Sequence, residues 1–206
     1  MKKTKITIGI LTIAFMTLSA TSCKDVKKQI NDTESHHTGQ MEKDGQMDAQ
    51  SGMDDDTTMQ NGQEMAKTAP IIDNYLGLKE ALVADNQSKA ASYGGDLATV
   101  LEQFETGNFD DGQQKELKEI IEVAKEHGEH ISESDIGHQR EHFEAMGKDM
   151  VDLIAIAGTP KTLYQQYCPM YNKNKGGMWL SDSKEIKNPL FGGKMMTCGS
   201  VQKEIN

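Results

Sequence analysis

The stretch that decides the fold is "SESDIGHQREHFEAMGKDMVDLIAIAGTP", residues 132–160. Plotted at about 100° per residue, its apolar side chains gather in one arc roughly 100° wide, as in an amphipathic helix. The capping-box pattern from Ser132 to Asp135 predicts the start of this helix, and Gly158 with Pro160 predicts its end at Ala157. The predicted core face comprises Phe143, Met146, Met150, Leu153, Ile154 and Ala157.

Three more amphipathic helices are predicted before this one, over residues 70–85, 88–104 and 113–130. Pro70 suits a first helical position, and apolar residues recur at helical spacing in each segment. Four such helices with short connections predict an all-α domain, an antiparallel four-helix bundle, within residues 70–206. Residues 162–206 are rich in Gly, Asn and Pro, so we expect a short irregular or β-ribbon C-terminal segment that covers the bundle.

Polar residues replace apolar ones at the start of the fourth helix. On a helical wheel, Asp135, Gln139 and His142 fall in or beside the core arc. His138 falls at the border of that arc. His138 and His142 are one turn apart, so both imidazoles can approach one metal ion from the same side. His127 and His130 lie nearby if the connection to the third helix is tight. The alternatives are a solvated helix end, or histidines held by hydrogen bonds to the facing helix.

The C-terminal segment carries two mirrored sulfur motifs. Cys168 and Met170 are two residues apart, as are Met196 and Cys198 at the other end of a 31-residue segment. Residues two apart in a strand share a face, so two such strands could present two thiolates and two thioethers to one ion. Soft sulfur ligands select Cu(I) or Ag(I) over hard cations. The alternative is a Cys168–Cys198 disulfide worth about 3–4 kcal/mol, with the methionines as packing residues.

The N-terminus is typical of an export signal. Residues 1–22 contain three lysines, an apolar run too short to cross a membrane, and small polar residues before Cys23. The residues before Cys23 resemble a bacterial lipobox, so we expect a lipidated Cys23 and a membrane-anchored lipoprotein on the periplasmic side or surface of the cell envelope. Cleavage by an ordinary signal peptidase after residues 20–22 would instead give a secreted soluble protein.

Residues 23–69 are predicted to form a disordered, acidic, Met-rich tether. Residues 24–69 contain no aromatic ring from Phe, Tyr or Trp, and acidic residues outnumber basic ones ten to five. Such a segment cannot bury enough apolar surface to offset its ordering entropy. Methionine recurs there every six residues, which matches no single helix face. We interpret these residues as weak ligands held at high local concentration on one chain. They are His36, His37, Met41, Met47, Met53, Met59 and Met65.

The charge narrows the range of partners. Without the predicted signal, the protein carries 19 basic and 32 acidic residues, a net charge of −13. This charge argues against nucleic acid and against charge-driven binding to an anionic membrane, so membrane attachment is expected through the lipid alone. It suits a cationic ligand, although solubility explains the same composition. Catalytic spacings and a Cys-x-x-Cys redox motif do not stand out, so we expect no enzyme.

The motifs "HQREHF" (residues 138–143) and "LYQQYCPMYNKNKGGMWLSDSKEIKNPLFGGKMMTCG" (residues 163–199) resemble the cell-envelope family known as domain of unknown function 3347. The resemblance covers about residues 71–204, with Leu190 where an aromatic residue is expected. It implies a helical domain found alone in exported proteins or at the end of periplasmic adaptors of Cus-type heavy-metal efflux pumps. By position, the resemblance implies the ligands His138, His142, Cys168, Met170, Met196 and Cys198.

Together these features predict an exported metal-binding protein that captures Cu(I) or Ag(I), with a heavy-metal efflux adaptor or pump as a possible partner. The alternative is a disulfide-stapled helical interaction module that docks on such an adaptor without a metal site of its own. Sacrificial oxidation of the methionines is a further explanation for the Met-rich segment.

Overall fold

The computed structural model of the protein describes residues 65–206. Four long helices come first: α1 (Ala69–Val83), α2 (Gln87–Glu102), α3 (Asp111–Glu133) and α4 (Ile136–Ala157). The rest comprises strand β1 (Leu163–Cys168), a helical turn α5 (Tyr171–Asn174), strand β2 (Gly177–Ser181), a 3-10 turn (Gly192–Lys194) and strand β3 (Ser200–Ile205). The domain is therefore mostly helical with a small C-terminal sheet. Consecutive long helices pack against one another, and a closed antiparallel four-helix bundle stays a prediction.

The C-terminal segment forms a three-stranded antiparallel sheet in the order β2-β1-β3. The expected irregular or β-ribbon C-terminal segment is thus a small sheet of three strands. Tyr164 in the central strand pairs with Ser181 on one side and Glu204 on the other. Trp179 is fully buried and donates its indole N–H to Gln166 Oε1 at 2.8 Å. The single Trp thus anchors the sheet from within.

The junction between α3 and α4 differs from its predicted position. Ser132 and Ser134 donate their hydroxyl groups to the carbonyl oxygens of Glu129 and His130, so they belong to the end of α3. The cap of α4 is Asp135, whose Oδ1 accepts the backbone N–H of residues 137 and 138. A capping box exists at the start of α3 instead, between residues 110 and 113. The connection between the two helices is therefore only two residues long.

Two close contacts join the elements that surround the site. Tyr75 of α1 stacks on Phe143 of α4 with ring centroids 4.9 Å apart, and its hydroxyl accepts the backbone N–H of Leu180 in β2. Gly94 of α2 and Gly128 of α3 are both buried and face each other. A Cβ on Gly94 would lie 2.9 Å from the Gly128 carbonyl oxygen. The missing side chains allow α2 and α3 to approach closely.

Residues just before Pro70 contact the end of α4. Thr68 is fully buried, and its hydroxyl contacts the carbonyl oxygens of Met65 and Gly158 at 2.8 and 3.1 Å. The Met65 side chain lies against Gly158, so this methionine packs on the end of α4. Over residues 65–206, the helices are too short or too polar to span a membrane.

Candidate functional site

Three imidazoles contact one another in sequence where α3 meets α4. His142 Nδ1 lies 2.9 Å from His127 Nδ1, and His142 Nε2 lies 3.0 Å from His138 Nε2. The two-residue connection brings the last turns of α3 beside the first turns of α4. The predicted pair His138 and His142 is therefore in direct contact, and His127 from α3 completes the group.

A carboxylate lies at each end of this row. His138 Nδ1 contacts Glu141 Oε2 at 3.0 Å, and His127 Nε2 faces Asp149 Oδ2 at 3.8 Å. Asp149 Oδ2 is buried and has no hydrogen-bond partner among the described residues. We call the row Asp149, His127, His142, His138 and Glu141 the histidine array.

The histidine array has fewer protons than contacts. Three imidazoles with one ring proton each can fill the three contacts of 2.9 and 3.0 Å, whereas the fourth, between His127 Nε2 and Asp149 Oδ2 at 3.8 Å, is longer than a hydrogen bond. When His138 Nδ1–H donates to Glu141, His138 Nε2 accepts the proton of His142 Nε2. His142 Nδ1 then accepts the proton of His127 Nδ1, so His127 Nε2 carries none. The deficit then falls beside Asp149 Oδ2, the oxygen that has no partner. One added cation, a proton or a metal ion, would fill the fourth contact.

The surroundings disfavour a proton on the central ring. Burial lowers the pKa of His142, and His127, His138 and His130 lower it further, while Glu141 acts in the opposite direction. At neutral pH His142 is therefore an uncharged imidazole with a lone pair available to a metal ion.

His130 has a different place in the group. Its ring is parallel to that of His142, with centroids 4.7 Å apart and planes within 1°. Its Nε2 faces Glu126 at 3.8 Å. His130 is thus a stacking neighbour of the array, with its nitrogen directed to a carboxylate.

The array does not converge on one point. Across residues 65–206, the structure gathers no three His, Cys, Asp or Glu side chains tightly enough to hold a single metal ion. The reason is the orientation of His142, which turns one nitrogen to each neighbour. The imidazoles are therefore paired, two at a time.

Two other polar residues of α4 have structural roles. Gln139 is fully buried and donates its side-chain amide to the carbonyl oxygens of Gln87 and Ile131. Arg140 donates to the carbonyl oxygens of Pro189 and Leu82 and to Asp85. These bonds tie α4 to the α1–α2 turn and to the C-terminal segment, and thereby hold the first turns of α4 in place.

The sulfur residues adopt the alternative arrangement. Cys168 and Cys198 are joined in a disulfide with Cα atoms 5.6 Å apart, so in this state they present no thiolate. Met170 is about half exposed at 51%, and Met196 is partly buried. The lipidation candidate Cys23 and the tether residues His36, His37, Met41, Met47, Met53 and Met59 lie outside the described residues.

Sequence reasoning missed the two carboxylates of the array. Their spacing places both on the same helix face as a histidine. Glu141 follows His138 by three residues, and Asp149 follows His142 by seven, which is two helical turns. The contact between His127 and His142 has no such signal because it depends on how α3 and α4 pack.

The fold and site define a helical domain with a C-terminal sheet and a histidine array at one helix junction. Residues 71–162 match the family model described as "Protein of unknown function (DUF3347)", in agreement with the resemblance noted in the sequence. The matched residues include the whole array and end before β1, so the Cys and Met motifs lie beyond them. Searches of curated proteins and of solved structures found no match.

Proposed function

We propose that this protein is an exported, lipid-anchored protein of the cell envelope that binds copper, as Cu(I), or silver. The observation that carries the proposal is the row of three contacting imidazoles that ends beside the buried, unpartnered Oδ2 of Asp149. A metal ion between His127 Nδ1 and His142 Nδ1 fills one contact, and the three ring protons fill the other three. Imidazole nitrogens are good ligands for copper, zinc and nickel, so the donor set fits such an ion.

The carboxylates support the same interpretation. Histidines that bind metals usually donate their second ring N–H to a carboxylate or carbonyl oxygen. In the loaded array, His127 Nε2–H would face Asp149 Oδ2, and His138 Nδ1–H would face Glu141. The buried oxygen that lacks a partner would then receive one.

The tether and the link to efflux are further parts of the proposal. Spaced methionines keep Cu(I) at high local concentration, so an ion lost from one thioether rebinds at another. Transfer to a heavy-metal efflux adaptor or pump is supported by the resemblance to the family. We also propose the antiparallel four-helix bundle, supported by the packing of consecutive helices. No enzymatic activity is part of this proposal.

Competition with a colorimetric Cu(I) chelator tests the metal site in the full exported chain. The substitution His142→Asn should lower the affinity of the domain for copper at least tenfold, because it removes the central donor. The matched control is His130→Asn, which removes a stacked ring and no donor of the array, so its affinity should stay within about twofold. Equal effects of the two substitutions would contradict the proposal. Deletion of residues 36–64 should separately lower the stoichiometry.

A second candidate function is a disulfide-stapled module that docks on an efflux adaptor without binding metal. The Cys168–Cys198 disulfide favours it, since it removes the soft thiolate pair. Elemental analysis of protein purified from its own envelope, with a thiol count under denaturing, non-reducing conditions, separates the two. Copper bound to protein with this disulfide intact supports the histidine site, whereas metal-free protein supports the docking module.

A further inference from the structure

His142 uses both ring nitrogens, each toward a different histidine. The two contacts have nearly equal lengths, 2.9 Å to His127 and 3.0 Å to His138. Two nitrogens bound to one ion at about 2.0–2.1 Å are roughly 2.9–3.4 Å apart for ligand angles between right and tetrahedral. Both contacts therefore have the spacing of a ligand pair, and small ring rotations would turn each pair of lone pairs toward an ion beside the contact.

We propose that the histidine array binds two divalent transition-metal ions, with the His142 imidazole as the bridge between them. One ion binds His127 Nδ1 and His142 Nδ1. The other binds His142 Nε2 and His138 Nε2, and water completes both coordination shells. This inference rests on the proposed metal-binding function and adds the number of ions and the bridging ligand.

The proton balance gives the two ions different affinities. The first ion takes the place of the proton on His127 Nδ1, which moves to His127 Nε2 beside Asp149, so no proton leaves the array. The second ion forms a bond to His142 Nε2, and the proton on that nitrogen leaves to water. His142 is then an imidazolate, while His127 keeps its proton on Nε2 and His138 keeps its proton on Nδ1. Binding of the second ion is therefore weaker and releases one proton.

The surrounding charges suit two cations. Asp149 and Glu141 lie at the two ends of the array, and Glu126 lies beside the stacked ring of His130. Two divalent ions bring four positive charges, and the imidazolate with the two terminal carboxylates offsets three of them. A single bridging ring also explains why the three imidazoles are arranged in two pairs and do not surround one point.

Cu(II) binding followed by electron paramagnetic resonance tests the bridge. The sample is the full exported chain with His36→Asn and His37→Asn, which remove the imidazoles of the tether. Two Cu(II) ions on one imidazolate couple magnetically, so we expect two ions per chain, a reduced total signal and a half-field line. His138→Asn should keep one ion with an ordinary uncoupled signal, and His130→Asn should keep both ions and their coupling.

The possible results separate this inference from the proposed function. One bound ion, or two without magnetic coupling, overturns the bridge and leaves the metal-binding function standing. No bound Cu(II) overturns the bridge, and the competition with the Cu(I) chelator decides the proposed function separately. The spectrum of the protein with its array intact decides between these results, so the test does not depend on whether an array variant folds.

Discussion

Two neighbouring glycines of α2 should respond to alanine in opposite directions. A Cβ on Gly94 would lie 2.5 Å from Ile131 Cγ2 and 2.9 Å from the Gly128 carbonyl oxygen, and the second of these is backbone that cannot rotate away. A Cβ on Gly95 would meet only the Ser132 Cβ, at 3.7 Å, which is an ordinary contact. Both positions are helical, so the gain in helix propensity is the same at each.

The magnitudes follow from these contacts. Gly to Ala in a helix stabilises by about 0.5–1 kcal/mol, so Gly95→Ala should raise the free energy of unfolding by that amount. Overpacking costs about 1–3 kcal/mol, so Gly94→Ala should lower the free energy of unfolding by about 0–2.5 kcal/mol after the same gain is subtracted. Because the gain is the same at both positions, the two variants should differ by the overpacking cost, roughly 1–3 kcal/mol.

Urea unfolding followed by circular dichroism measures this difference. Gly128→Ala is a second test from the opposite helix, because its Cβ would lie 2.8 Å from the Gly94 carbonyl oxygen. The close approach of α2 and α3 would be refuted if alanine stabilised the protein equally at positions 94 and 95.

Two further predictions concern the disulfide and the central histidine. Replacing Cys168 and Cys198 by Ser should lower the free energy of unfolding by about 3–4 kcal/mol, because the bond closes a long loop in the unfolded chain. Urea unfolding midpoints would reveal this loss, and equal midpoints would contradict it. The lowered pKa of His142 means that the folded state binds fewer protons than the unfolded state, so stability should fall as pH drops below the ordinary value of 6.5. His130→Asn should raise the pKa of His142 only partway, because burial is the larger cause, and should make that pH dependence shallower. Proton NMR titration of the imidazoles checks the pKa, and an unchanged value would exclude the influence of His130.

The helices were predictable because their information is local. The apolar period that includes Phe143, Met146 and Met150 marks α4 in the sequence, and all three residues are fully buried in the structure. Their spacing alone defines a face, whatever the helix packs against.

The sheet was less predictable because it depends on pairing between distant segments. Strand β3 is exposed almost along its whole length, so it shows no alternation of apolar and polar residues. Its conformation is held by hydrogen bonds to β1, which lies more than thirty residues earlier in the chain. Similarly, the spacing of His138 and His142 was visible, but the role of Asp149 depends on His127 reaching it from another helix.

The contact of Met65 with Gly158 fixes the distance over which the proposed tether would deliver metal ions to the array. His142 lies 16 residues before Gly158 in the same run of chain, about 24 Å along α4 at 1.5 Å per residue. A flexible coil of the kind that the tether composition predicts spans about 5–6 Å times the square root of its residue number, so a match to that distance needs roughly 16–23 residues. Met47 lies 18 residues before Met65. Within the proposed function, this length therefore favours Met47 over Met59 as the donor to the array.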